Sequence, residues 1–211
     1  MIVTLVAPRT ALAPLAPLVE AYRQKSYAVR LHPTDGGVPA PAELERLAHE
    51  SDALLLVGDR RRAPRTVVPA PLLGRTTGKR VPVGWLPYTN DTALARFALG
   101  AARVHRRAAG PRPVAVLAQW NPRYLRLAAR IEQLLGDSPH DLAAFRWSSD
   151  LLARDAMLRG LGTGVAAAIY VGHGRPIGWV GYRGTRAHHL DGMEGEPVGA
   201  LLSLCSDTAS R

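Results

Sequence analysis

Cysteine is almost missing from this chain: Cys205 is the only one in 211 residues. A lone thiol excludes an internal disulfide and any zinc site built from several cysteines. Lysine is nearly as scarce, since Lys25 and Lys79 stand against 25 arginines in a total of 27 basic residues. No apolar run approaches the roughly 20 residues that a bilayer-crossing helix needs. The opening run Ile2-Val-Thr-Leu-Val-Ala7 has no basic region before it and Arg9 after it, so it reads as a first strand and not as a signal peptide. A cytoplasmic location without a membrane partner is the expectation. Aromatic residues make up only 6%, which bears on the net charge of +10. A nucleic-acid binder concentrates basic residues on one face and interleaves aromatics among them. The densest basic clusters, Arg60-Arg61-Arg62-Ala-Pro-Arg65 and Arg103-Val-His-Arg106-Arg107, are short and contain no aromatic. An Arg-rich solvated surface shaped by codon usage is the favoured account. Nucleic acid or another acidic partner comes second.

With 47% hydrophobic residues the chain can bury a sizeable core, as one large domain or two subdomains. Residues 2–7 read as a buried strand bounded by Pro8. Leu15, Leu18, Val19 and Tyr22 then fall at helical spacing, and Tyr27–His32 reads as a second strand. Pro41–Glu50 is a short helix with Pro at its start and acids in its first turn. Asp52–Asp59 is a third, buried strand. This β-α-β-α-β order predicts a parallel sheet with helices on both faces. Val81–Leu86 is strand-like, but its Pro82 points to an edge or a loop. Asp91–Arg107 reads as helical despite Gly100, and Ala109-Gly-Pro-Arg-Pro113 marks a boundary between subdomains 1–108 and 109–211. The alternation then resumes: strand Val114–Gln119, helix Pro122–Leu135, and a helix capped by Ser149 or Asp150 that runs to Leu158 and stops at Gly160. Strands over 165–172 and 197–204 follow. The fold class is therefore α/β, a three-layer α/β/α sandwich on a mostly parallel sheet.

The last two strands each lead into a reactive side chain, His173 and Cys205. If they are parallel neighbours, an imidazole and a thiol sit together at their carboxyl ends, where open α/β sheets carry their sites. A free thiol is mostly protonated at neutral pH, and a neighbouring imidazole can take its proton and later pass it to a leaving amine. Backbone N–H groups of Gly174 and Cys205 are the candidate oxyanion donors, because glycine lets the backbone approach a substrate closely. The bland alternatives are a small buried thiol and a locally hydrogen-bonded histidine. The adjacent pair His188-His189 has no further ligand cluster, so no metal is expected. Gly58-Asp-Arg is no phosphate-loop fingerprint, and no cofactor is expected either.

Tyr170-Val-Gly-His-Gly174 with Gly178-Trp179, then Thr185-Arg-Ala-His-His-Leu190, then an apolar strand into Cys205, resembles the gingipain family of caspase-like (clan CD) cysteine endopeptidases. Upstream, Leu54-Leu-Leu-Val-Gly-Asp59 is similar to that family's strand into Gly-Asp, and Thr89–Asp91 through Leu99–Arg103 agrees more loosely. The resemblance spans about residues 52–104 and 163–211. It implies a caspase-like fold with His173 and Cys205 as the catalytic dyad and Gly174 in the oxyanion hole. Trp179 and Ser206 would then be the substrate-binding residues, acting on a polypeptide. Such peptidases have substantial chain after the nucleophile, whereas six residues follow Cys205 here. A fold lacking its C-terminal strands is therefore expected, with a C-terminal fragment or second chain completing it. Arg211 would mark a maturation cut in a processed large subunit that prefers basic P1 residues. The competing expectation is a caspase-like binding or assembly protein without turnover.

Overall fold

The computed structural model describes residues 1–35, 37–59, 81–108, 110–139 and 142–205. The Arg60–Arg65 cluster, Ser206 and Arg211 lie outside them. The chain divides into two compact units, Met1–Arg106 and Arg107–Arg211.

In the first unit, strands β1 (Ile2–Pro8), β2 (Ala28–Thr34), β3 (Ala53–Asp59) and β4 (Val83–Tyr88) form an all-parallel sheet in the order β2-β1-β3-β4. The alternation along β1 decides the layers, because successive side chains point to opposite faces. Val3, Leu5 and Ala7 pack with Leu15 and Leu18 at helix α1 (Ala16–Gln24) and with Leu94 and Ala98 of α3 (Asp91–Arg106). Val6 instead joins Leu54 and Leu56 against Leu44 and Leu47 of α2 (Pro41–His49). Both faces are thus covered, as a parallel sheet requires. The polar break in β1 is satisfied internally: the hydroxyls of Thr4 and Ser51 lie 2.7 Å apart, and Ser51 Oγ donates to the Leu47 carbonyl. Among the described residues β4 is an edge strand, pairing in parallel with β3 and extending to Tyr88, two residues beyond the expected end.

The second unit repeats the plan. Strands β5 (Val114–Ala118), β6 (Ala144–Ser148), β7 (Ala167–Val171) and β10 (Leu201–Leu204) lie in parallel in the order β10-β7-β5-β6. β5 is buried along its whole length. On one face Ala115, Leu117 and Tyr170 pack with Met157 and Leu161 of α5 (Arg154–Leu161), and on the other Val116 and Ala118 pack with Ala128 of α4 (Pro122–Gly136). Between β7 and β10 run the antiparallel hairpin β8 (Gly174–Arg175) and β9 (Gly178–Trp179), a tight turn α6 (Gly181–Gly184) and the short helix α7 (Ala187–Asp191).

The structure corrects two expectations and adds one strand. β6 was not foreseen, because Arg146 interrupts its apolar pattern. As an edge strand it can send Arg146 outward, 3.6 Å from Glu132 of α4. α5 begins at Arg154, and neither Ser149 nor Asp150 caps it. Ser149 Oγ accepts from the Trp120 N–H, and Asp150 accepts from the Ser148 hydroxyl, so both serve the turn after β6. Nor does Gly160 stop this helix, which continues through Leu161. Gly160 is there for space: a Cβ at that position would sit 2.2 Å from the ring of Trp147.

Gly160→Ala therefore sets two effects against each other. Helix propensity favours alanine by about 1 kcal/mol, while overpacking against Trp147 costs roughly 1–3 kcal/mol. The expected outcome in urea unfolding is a net loss of stability that Trp147→Leu in the same chain reverses.

Candidate active site

Three strands of the second unit end at the same edge, and the register of their pairing fixes what stands there. Val171 of β7 is level with Leu204 of β10 on one side and Ala118 of β5 on the other. The next residues in line are Gly172, Cys205 and Gln119. Backbone bonds continue the ladder across all three, from Gly172 N–H to the Leu204 carbonyl and from Gln119 N–H to the Val171 carbonyl. His173 stands one residue beyond Gly172. The two sequence-nominated residues thus follow neighbouring parallel strands.

His173 is exposed but held at several points. Its N–H donates to Gln119 Oε1 at 2.7 Å, and its carbonyl accepts from the Tyr170 hydroxyl and the Val180 N–H, each at 3.0 Å. Its ring Nε2 shares a 3.0 Å hydrogen bond with the Tyr124 hydroxyl, the two rings meeting edge to face at 5.2 Å. Tyr124 reaches this spot because α4 starts abruptly beside it. Pro122 occupies the first turn, and the side chain of Asn121 caps the helix by accepting from Arg123 N–H at 2.9 Å.

Tyr170 ties the site to the core. It is fully buried and stacks on Trp179 with ring centroids 4.3 Å apart and 8° between planes. Its hydroxyl accepts from the buried Gly181 N–H at 3.1 Å while donating to the His173 carbonyl. Burial pushes its phenol up to about 12, so it remains a neutral donor at physiological pH. A Cβ on Gly172 would lie 2.4 Å from that hydroxyl, which explains a glycine just before His173. Half-buried Cys205 packs against the same cluster.

Gly174 opens β8 opposite Trp179. The adjoining ladder bond runs from Val180 N–H to the His173 carbonyl. In that arrangement the amides of the paired residues point away from each other, so the Gly174 N–H is not used by the hairpin. Trp179 is only 5% exposed, and its indole N–H donates to Ser203 Oγ at 2.9 Å. It is chiefly a core residue that offers one edge to the surface. The rings of His188 and His189 lie 4.1 Å apart, tilted by 48°, and His189 Nδ1 accepts from Arg186 N–H. Among the described residues no group of three potential ligands gathers around them or elsewhere, and no helix is long and apolar enough to cross a membrane.

Gln119, Tyr124 and the double role of Tyr170 were not read from the sequence. A signal existed for the first, since Gln119 follows an apolar strand at the same sheet edge. The reach of Tyr124 depends on where α4 begins, which only the cap geometry fixes.

Solved structures of similar fold exist. The complex of Porphyromonas gingivalis RgpB pro- and mature domains superposes with a TM-score of 0.62 at 15% identity, covering 90% of this chain and 52% of that one. The Arg-specific cysteine proteinase gingipain R (RgpB) gives 0.62 at 14% identity, over 89% and 50%. The chain has the caspase-like gingipain fold. It spans about half the length of the solved chains it matches. No protein-family model and no curated protein matches it.

Tyr170→Phe removes one hydroxyl and leaves the buried Gly181 N–H unsatisfied, at a cost of about 1–3 kcal/mol in urea unfolding near neutral pH. Because folding raises the Tyr170 phenol above its ordinary 10.0, the stabilisation is full below pH 10 and declines as pH rises toward about 12. The variant is expected to show a shallower alkaline decline than the parent protein.

Proposed function

We propose that the chain carries the catalytic dyad of a cysteine endopeptidase, with Cys205 as nucleophile and His173 as general base and then acid. The observation that carries this reading is the parallel pairing of β7 with β10, which ends in those two residues within a fold shared with cysteine proteinases. With Nε2 engaged by Tyr124, Nδ1 is the ring nitrogen that serves the thiol. The proton taken from Sγ enters at Nδ1, and the Nε2–H donates to the tyrosine oxygen, which fixes the ring orientation. The sulfur attacks the scissile carbonyl carbon. A C–S bond forms as the carbonyl electron pair moves to oxygen, where the N–H groups of Gly174 and Cys205 receive it. Collapse breaks the C–N bond, the imidazolium protonates the departing amine, and water activated by the same nitrogen releases the thioester as a carboxylic acid.

The substrate is a polypeptide. The preference for a basic P1 residue and processing at Arg211 stay part of this proposal and are tested with it. A second polypeptide segment fits the same reading. Among the described residues β10 is an edge strand with Leu201, Leu202 and Leu204 exposed, and edges of this kind are usually covered by another strand.

Cleavage of quenched reporter peptides ending in Arg, Lys, Gln or Asp tests the reading. Cys205→Ala and His173→Ala are each expected to lose about a thousandfold or more in kcat/KM. Tyr124→Phe, which only positions the ring, should lose about tenfold, mainly in kcat. Cleavage that survives Cys205→Ala contradicts the dyad. Peptide binding without cleavage by the parent protein supports an inactive binding protein instead.

A further inference from the structure

The chain leading into β10 runs beside the chain leading into β7 well before either strand begins. Every backbone contact between the two keeps one sequence offset. Thr163 bridges Glu196 in parallel, Ala168 is level with Leu201, and Val171 is level with Leu204. The hydrogen bonds agree. Glu196 N–H donates to the Gly162 carbonyl at 2.7 Å, Gly199 N–H to the Val165 carbonyl at 3.0 Å, and Ala168 N–H to the Ala200 carbonyl at 2.8 Å. Glu196 therefore marks the far end of the alignment that places Cys205, roughly 30 Å away along an extended chain.

At that far end the register is held by charge. The side chain of Arg107 is only 8% exposed, and its Nε lies 3.9 Å from the carboxylate of half-exposed Glu196. Arg107 Nη1 donates to the Gly164 carbonyl at 3.4 Å, and Arg112 Nη1 donates to the same oxygen at 3.3 Å. The backbones are in contact here. Gly164 has φ 82°, and a Cβ on it would lie 2.7 Å from the Glu196 Cβ. Gly195 has φ 91°, and a Cβ on it would lie 2.4 Å from the Gly162 carbonyl oxygen. Within β10, by contrast, the apolar pattern specifies register weakly, because Leu201, Leu202 and Leu204 are all exposed. Ser203 is marked by its bond to Trp179. A slip of one residue would carry Glu196 about 3.3 Å along the strand, away from Arg107, and turn Cys205 to the other face.

Resting on the cysteine-peptidase reading, we propose that Arg107 and Glu196 are positioning residues that lock the register of β10 and so bring Cys205 out beside His173. Removing one member of such a pair leaves a buried charge without its counter-charge, so the pair favours one alignment over its neighbours. Arg112 supports the lock through the shared Gly164 carbonyl. The pair and the Trp179–Ser203 bond then hold β10 from its two ends.

Amide hydrogen exchange of the full-length protein, resolved over 201–204 and over β5, is measured beside the iodoacetamide rate at Cys205 and reporter-peptide kinetics. Glu196→Gln is expected to speed exchange over 201–204 about fivefold and to leave β5 unchanged. Cys205 alkylation and kcat should fall by a similar factor while KM holds. Arg107→Gln should act in the same direction and more strongly. The reversed pair, Arg107→Glu with Glu196→Arg, should lose less than the two reversals do singly. A pair that merely stabilises the fold would lower the thermal midpoint and leave kcat and the alkylation rate of the folded protein at parent values. That result for Glu196→Gln overturns the proposal, as does exchange that quickens equally over β5 and 201–204. If no reporter is cut and His173→Ala leaves alkylation unchanged, while Glu196→Gln still loosens 201–204 alone, the dyad falls and the register lock stands.

Discussion

The parallel pairing of β7 with β10 is the constraint from which the rest of the site follows. Parallel neighbours share a direction, so both chains leave the sheet at one edge, and a shared register decides which residues leave together. Here Val171 and Leu204 are level, and His173 and Cys205 emerge just past them. A slip by one residue would turn every side chain of β10 to the other face. Trp179 guards against that slip: its indole donates to Ser203 while its ring stacks on Tyr170, joining β10 to β7 through side chains as well as backbone.

Tyr170 does the complementary work on the histidine. One buried phenol satisfies Gly181, orients the His173 carbonyl, and supplies the face on which Trp179 stacks. Core packing and site geometry are thus the same set of contacts. The aromatic residues are few in the chain, and several of them, Tyr124, Trp147, Tyr170, Trp179 and Tyr182, serve within this unit.

Much of this was legible in the sequence. Apolar runs bounded by Gly and Pro located β1, β3, β5 and β7, and their alternation with helical spacing gave the parallel sheets. The Gly-His-Gly segment and the lone Cys205 were visible as strand ends. What escaped was decided by tertiary context. β6 carries Arg146 in mid-strand and is tolerated only because it lies at an edge. Ser149 and Asp150 resemble helix caps but are taken by the turn next to Trp120. The hairpin at 174–179 and the left-handed turn at 182–184 are too short for any periodicity. The expectation of a basic P1 preference arose from reading Arg211 as a maturation site, and Arg211 lies outside the described residues.

The direct test of the central claim is the rate at which Cys205 is alkylated by iodoacetamide at pH 7, followed by intact mass. With one cysteine in the chain, the added mass reports a single site. If His173 activates the thiol, His173→Ala lowers this rate by about tenfold or more, while Tyr124→Phe lowers it less. Equal rates in the parent protein and His173→Ala would show that the two residues are neighbours in the fold without being partners in chemistry.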